Sequence, residues 1–209
     1  MRVVAAVLAA GASTRFGSPK LLADLDGRPV LQHVLDAIGA AGLDDVLVVL
    51  GDGAASVERA IEWRRQRRVI NPRPQDGLSS SVHVALRAAA GDPAFEAAII
   101  LLGDQPAVRP EAIRGVIDAA EASGQPFVRA RYSRDGAPNP VLIRRPAWPE
   151  AMALEGDRGL GPLLAANPDR VELVDVDGDN PDVDTPEDLA RVAIDLAAVP
   201  STDRAGARA

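Results

Sequence analysis

The hydrophobic positions fall into short solid runs separated by amphipathic stretches. Val3 to Leu8 is a continuous apolar run closed by a glycine, the pattern of a buried strand. Val46 to Leu50 and Ala97 to Leu102 repeat it. Phe127 to Tyr132, Pro140 to Ile143, Val171 to Val174 and the shorter Arg68 to Asn71 are further strand candidates. Between them the period changes: Leu31, Val34, Leu35 and Ile38 recur at helical spacing within Pro29 to Ala41. Helices are also predicted over Ala54 to Gln66, Leu78 to Ala90, Pro110 to Ser123 and Pro186 to Leu196, two of them opened by proline. This alternation predicts an α/β fold with a mostly parallel sheet covered on both faces. The 133–145 region, with its turn Ser133-Arg134-Asp135-Gly136, is expected to be antiparallel at an edge. The chain is long enough for one full core. Residues 1–199 are read as a single domain and the small, polar 200–209 as a frayed tail.

Composition narrows the picture. The 47% hydrophobic content is mostly Ala, Val and Leu, with only 3% aromatics, which suits helices packed closely on a sheet. The absence of cysteine excludes disulfides, thiolate metal sites and Cys nucleophiles. A net charge of −7 argues against a general nucleic-acid binder, yet it allows a locally positive nucleotide site near Arg15, Lys20 and Arg28. No apolar run approaches a membrane span, and the first residues enter a core strand with no leader pattern. A cytoplasmic protein without membrane or nucleic-acid partners is expected.

Candidate chemistry begins where the first strand ends. Leu8-Ala9-Ala10-Gly11 leads into small residues, Arg15, Gly17 and Lys20. Small side chains expose backbone N–H groups, and two fixed cations complete a cradle for a polyphosphate. The spacing is neither a Walker A loop nor a dinucleotide Gly-x-Gly-x-x-Gly. Gly77-Leu78-Ser79-Ser80-Ser81 opens a helix; the serines can cap it, or its N-terminus can hold a base or ribose. It is not a nucleophile elbow, because Ser81 stands where a second glycine is required. Gly103-Asp104 ends a strand, where a carboxylate can bind Mg²⁺ or simply form an Asx turn. The acidic stretch Asp175 to Asp188 lacks the glycine and glutamate of an EF-hand. Most of its acids read as surface; Asp184 stands out because it ends the segment at a helix start capped by Asp184 or Thr185. The run Arg64, Arg65, Arg67, Arg68 reads as a solvated helix end. His33 and His83 are separated and support neither zinc nor a Ser-His-Asp triad.

In this order the pieces resemble the MobA/MocA-like NTP transferases, closest to the molybdenum cofactor cytidylyltransferase branch. The matching residues are Leu8-Ala9-Ala10-Gly11, Arg15, Gly17, Lys20-Leu21-Leu22, Gly77 to Ser81, Leu102 to Pro106, Gly156-Asp157-Arg158-Gly159 and Asp182 to Leu189. The resemblance implies a Rossmann-like three-layer α/β/α sandwich and Mg²⁺-dependent transfer of CMP from CTP to the terminal phosphate of molybdopterin, with release of pyrophosphate. It assigns Arg15, Lys20, Asp104 and Asp184 to catalysis. Nucleotide binding falls to Leu8, Ala9, Ala10, Gly11, Arg15, Lys20, Gly77, Ser79, Ser80, Ser81 and Asp104. Acceptor binding falls to Asn139, Pro140, Asp157 and Gly159, and metal binding to Asp104 and Asp184. Without metal, the two carboxylates are expected to separate or to pair with Lys20 or an arginine. A phosphorylated pterin and a molybdenum hydroxylase or its chaperone are the implied partners. The chain departs from the family pattern at Asn139, where a His is usual, and at Gly161, where an Arg is usual. A transferase using GTP or another phosphorylated acceptor therefore stays open, as does a non-catalytic maturation protein. An NAD(P) reductase is disfavoured by the missing dinucleotide fingerprint.

Overall fold

The structure, a computed structural model, describes residues 1–11, 16–134 and 138–198. Arg15, the second half of the Ser133 to Gly136 turn and the 200–209 tail lie outside the described residues. The strands are β1 (Val3–Ala9), β2 (Asp24–Leu25), β3 (Arg28–Pro29), β4 (Val46–Leu50), β5 (Arg67–Ile70), β6 (Ala97–Leu102), β7 (Phe127–Tyr132), β8 (Val141–Arg144) and β9 (Val171–Val176). The helices are α1 (Val30–Ala40), α2 (Ala54–Ala60), α3 (Leu78–Ala90), α4 (Pro110–Ser123), α5 (Trp148–Ala151), α6 (Gly161–Ala166) and α7 (Pro186–Ala198). Among the described residues no helix is long and apolar enough to cross a membrane.

Strand β1 is buried on both faces, as its solid apolar run requires. Val3, Ala5, Val7 and Ala9 point into a core shared with Leu31, Val34, Leu35 and Ile38 of α1 and Ile113 and Val116 of α4. Val4, Ala6 and Leu8 point the other way, against Val82, Ala85, Leu86 and Ala89 of α3, Trp148 of α5 and Leu164 of α6. These are the three layers of an α/β/α sandwich. The sheet has seven strands in the order β5-β4-β1-β6-β8-β7-β9. All pair in parallel except β8, which is antiparallel to both neighbours.

The α/β class and the mostly parallel sheet follow the sequence reading, but the antiparallel strand is not at an edge. It sits between β6 and β7 with Val141, Leu142 and Ile143 all buried. A fully apolar strand suits an interior slot, where both faces are covered. The helix predicted over Ala54 to Gln66 stops at Ala60. Beyond it the Glu62 N–H donates to the Gln32 side chain at 2.9 Å, and the Arg64 N–H donates to the Gln66 side chain at 2.7 Å. Side-chain acceptors thus displace the helical ladder. The arginine run accordingly lies on an irregular link and on edge strand β5, not at a helix end. There Arg68 pairs with Glu58 and stacks over the Trp63 ring.

A small third core docks α7. Val183 and Val192 pack with Leu25 and Val30, joined by Leu189 and Leu196. This places the start of α7 beside the β2–β3 hairpin, next to the turn that carries Lys20. The ends of β1, β5, β6 and β9 and the beginning of antiparallel β8 therefore share one edge of the sheet. Ligands of open parallel sheets bind at that edge.

Candidate active site

The turn Lys20–Leu22 follows Pro19 and is closed by the Leu22 N–H donating to Pro19 O at 2.9 Å. Leu21 plugs into the core and leaves Lys20 only 9% exposed. Its ammonium meets Asp104 Oδ2 at 2.5 Å and Asp184 Oδ1 at 2.7 Å. Two carboxylates eighty residues apart thus share one cation. Burial alone would lower the Lys20 pKa; the charge and hydrogen bond of Asp104, then those of Asp184, outweigh it and hold it above the ordinary lysine value.

Each carboxylate is placed by its own local device. Asp104 leaves the end of β6 through Gly103, whose N–H donates to Leu8 O at 2.9 Å. Asp184 stands at the entrance to α7, where a capping box forms. The Thr185 N–H donates to Asp188 Oδ2 at 3.0 Å, and the Asp188 N–H donates to Thr185 Oγ1 at 3.2 Å. Asp188 also accepts the Asp184 N–H at 3.2 Å. The Thr185 hydrogen bond leads the interactions that hold the Asp188 carboxyl below its ordinary pKa.

Beside this trio lies a cavity of about 560 Å³ whose walls include Leu8, Ala10 and Gly11, Gly77 and Ser81, and Asp104. A second cavity of about 610 Å³ adjoins it across Gly11 and Gln75 and includes Ala9 and Gly17 in its wall. Asn71, which follows β5 and is 2% exposed, organises the first turn of α3. Its amide donates to Ser80 Oγ at 2.8 Å and to Ser81 Oγ at 3.1 Å. Ser79 is buried.

The serines do not cap α3 as the sequence allowed. The cap position is Gly77, and the first N–H groups are taken by a distant segment. The Leu78 N–H donates to Asp157 Oδ1 at 3.2 Å, and the Ser79 N–H donates to Gly156 O at 3.1 Å. Gly77 has φ +91°, and a Cβ there would fall 2.6 Å from the Gly156 backbone. Gly159 has φ +51° and lies against Leu78, so the Gly156 to Gly159 stretch is packed onto the entrance of α3. Asp157, expected to face an acceptor, caps this helix and also lines the cavity. Asn139 and Pro140 stand before β8 at the same sheet edge, and Asn139 O accepts the Asn180 amide at 3.3 Å.

Of the three cations expected to make the site positive, Arg28 pairs with Asp36 and Glu62, and Arg15 lies outside the described residues. The described lining of the first cavity contains Asp76, Asp104, Asp157 and Asp182 and no Lys or Arg. Sequence reasoning passed over Asp182 as a surface acid. Its pKa is raised, first by desolvation in the cleft and then by the charge of Asp104. Gln105 and Asn180 were also missed; the Gly-Asp-Gln-Pro motif was the available signal for Gln105. His33 is structural, its ring hydrogen-bonded with Leu25 O at 2.7 Å.

Comparison with known proteins agrees with this architecture. The family model for the MobA-like NTP transferase domain matches residues 5–171. A homologue of Mycobacterium tuberculosis Rv0371c from Mycobacterium sp. strain JC1 is similar with a TM-score of 0.84 and 29% identity, over 95% of this chain and 98% of that one. Rv0371c from Mycobacterium tuberculosis H37Rv gives a TM-score of 0.81 and 32% identity over 92% and 98% of the two chains. That protein has also been solved in complex with manganese. Bifunctional protein GlmU of Sorangium cellulosum is 40% identical over 129 residues, which is 56% of this chain and 27% of GlmU. The chain spans roughly a quarter to a third of the length of the curated relatives it matches.

Proposed function

The chain belongs to the MobA-like NTP transferase family, and from that premise we propose that it transfers a nucleoside monophosphate from an NTP to a phosphorylated acceptor and releases pyrophosphate. The main support is the meeting of Lys20, Asp104 and Asp184 beside an acid-lined cavity at the ligand-binding edge of the sheet. The described lining is acidic, so cations that accompany the triphosphate would favour its binding.

The carboxylate pair fits a divalent ion. Asp104 and Asp184 are hard oxygen donors already gathered around one positive charge, the donor type that Mg²⁺ and Mn²⁺ prefer. Among the described residues no group of three His, Cys, Asp or Glu side chains is arranged to hold an ion by itself. Phosphate oxygens and water would complete the shell, as is usual for Mg²⁺. When bound, the ion supplies charge neutralisation across the phosphates.

The protein's own groups do the rest. An acceptor phosphate is already an anion near neutral pH, so transfer requires alignment and charge stabilisation rather than a general base. Lys20 is a fixed cation for the phosphoryl oxygens, with Arg15 as its partner. The Gly77 to Ser81 turn and Leu8 to Gly11 form the walls for the nucleoside. Asn139, Pro140, Asp157 and Gly159 are assigned to the acceptor side.

For the donor we infer CTP, and for the acceptor the terminal phosphate of molybdopterin. The support is the likeness of Leu8-Ala9-Ala10-Gly11 and Ser79-Ser80-Ser81 to the cytidylyl branch. A molybdenum hydroxylase or its chaperone would then receive the product. Pyrophosphate release is measured with Mg²⁺ and CTP, GTP or ATP, each with and without molybdopterin. Release with CTP and molybdopterin is expected. Preference for GTP reassigns the donor. No release with any NTP across a panel of phosphorylated acceptors refutes the transferase.

A further inference from the structure

We propose that Gln105 is a positioning residue whose buried amide clamps the 180–184 segment onto the turn after β6 and so fixes Asp184 opposite Asp104. The inference rests on the assignment of these two carboxylates as a cation site. Asp104 and Asp184 come from separate parts of the chain, so something must hold the two backbones in register. Three hydrogen bonds do so. The Val183 N–H donates to Asp104 O at 2.9 Å. Gln105 Nε2 donates to Asp182 Oδ1 at 2.8 Å. Asn180 Nδ2 donates to Gln105 Oε1 at 3.2 Å. Two of the three run through Gln105.

The chemistry of the position selects an amide. Gln105 is 1% exposed and Asn180 is fully buried, so losing a hydrogen bond there is costly, the more so because Asn180 Oδ1 has no hydrogen-bond partner among the described residues. Gln105 faces a carboxylate on one side, which needs a donor, and an amide N–H on the other, which needs an acceptor. Glutamine presents one of each on a single rigid plane. Glutamate would oppose Asp182 with like charge, and an apolar residue would leave Asp182 and Asn180 without this partner. Asn180 also donates to Asn139 O, which extends the clamp to the segment before β8. Gln105 does not line the cavity, so it acts through the residues it holds.

The fold does not depend on the clamp alone, because α7 is anchored separately by Val192, with Leu189 and Leu196, against Leu25 and Val30. Gln105→Met is therefore expected to fold. The test is Mn²⁺ binding to the full chain, followed by electron paramagnetic resonance with the metal alone. CTP binding in the presence of EDTA and far-ultraviolet circular dichroism are measured in parallel. Gln105→Met should weaken Mn²⁺ affinity about tenfold or more, the usual effect of losing an outer-shell partner, while metal-free CTP binding stays within about twofold. Asn180→Ala, which keeps the bond from Gln105 to Asp182, should give a smaller loss in the same direction; it also carries the test if Gln105→Met does not fold. Wild-type Mn²⁺ affinity in folded variants overturns the clamp and leaves the function standing. An equal loss of metal and metal-free CTP binding overturns it as well, since that marks general damage. The measurement is repeated with CTP present; failure of the wild type to bind Mn²⁺ both alone and with CTP overturns the cation-site assignment, and the clamp with it.

Discussion

Replacing Lys20 by methionine removes the cation that Asp104 and Asp184 share while keeping the length of the side chain. The side chains of the trio are 11%, 20% and 31% exposed, so the site lies between a surface pair and a buried one. Breaking a fully buried pair costs about 3–5 kcal/mol and an exposed one about 0–1 kcal/mol; an intermediate loss of about 1–3 kcal/mol is expected here. For a chain of this size that is a fall in Tm of roughly 2–12 °C. Turnover should suffer more, because a fixed charge on the reacting phosphates is worth about 2.7–4 kcal/mol, or roughly 10²–10³ in kcat. The variant also carries two facing carboxylates with no ammonium between them. Mn²⁺ added alone should therefore raise the Tm of Lys20→Met more than that of the wild type, where the ion competes with Lys20 for the same oxygens. The assays are pyrophosphate release and thermal unfolding with and without Mn²⁺. Near wild-type kcat in a folded variant, or a smaller Mn²⁺ response than the wild type, would refute the reasoning.

CTP with Mg²⁺ should stabilise the protein more than GTP does, adding about 2.7 kcal/mol over the unliganded protein at a hundred times its dissociation constant; a larger thermal shift with GTP contradicts the cytidylyl assignment. Thr185→Ala should cost about 1 kcal/mol at neutral pH by opening the capping box at α7. Because the folded pKa of Asp188 is lowered, the stability it contributes is present above its unfolded value and is lost as pH falls through the folded one. The difference from wild type should thus shrink in acid urea titrations, and a constant difference would argue against the cap. Gly77→Ala should destabilise by at least about 1–3 kcal/mol from the positive φ alone, with the overlap on Gly156 adding to it. Urea unfolding at the wild-type midpoint would show that the α3 entrance tolerates a side chain.

The sequence alone determined the seven strands of the main sheet and five of the helices, but not the β2–β3 hairpin, α5 or α6, since a solid apolar run or a helical period is written in neighbouring residues and these short elements carry neither. Val3 to Leu8, Ala97 to Leu102 and Pro110 to Ser123 needed no tertiary information. Lys20, Asp104 and Asp184 were legible as candidates because each follows a recognisable local pattern: a small-residue loop, a strand end and a helix start. Their meeting was not legible. It depends on α7 docking against Leu25 and Val30 and on the hydrogen bonds between the 180–184 segment and the turn after β6. The same limit explains the rest. Periodicity shows that Val141 to Ile143 is buried, but sheet order decides that it is an interior antiparallel strand. Composition counts Arg28 as a cation, but only packing shows it spent on Asp36 and Glu62. Three serines at a helix start suggest a cap, but the cap comes from Gly156 and Asp157, almost eighty residues away. Local pattern fixes what each segment can become. Which distant group satisfies a given charge or N–H is a choice among many partners, made only when the whole chain packs.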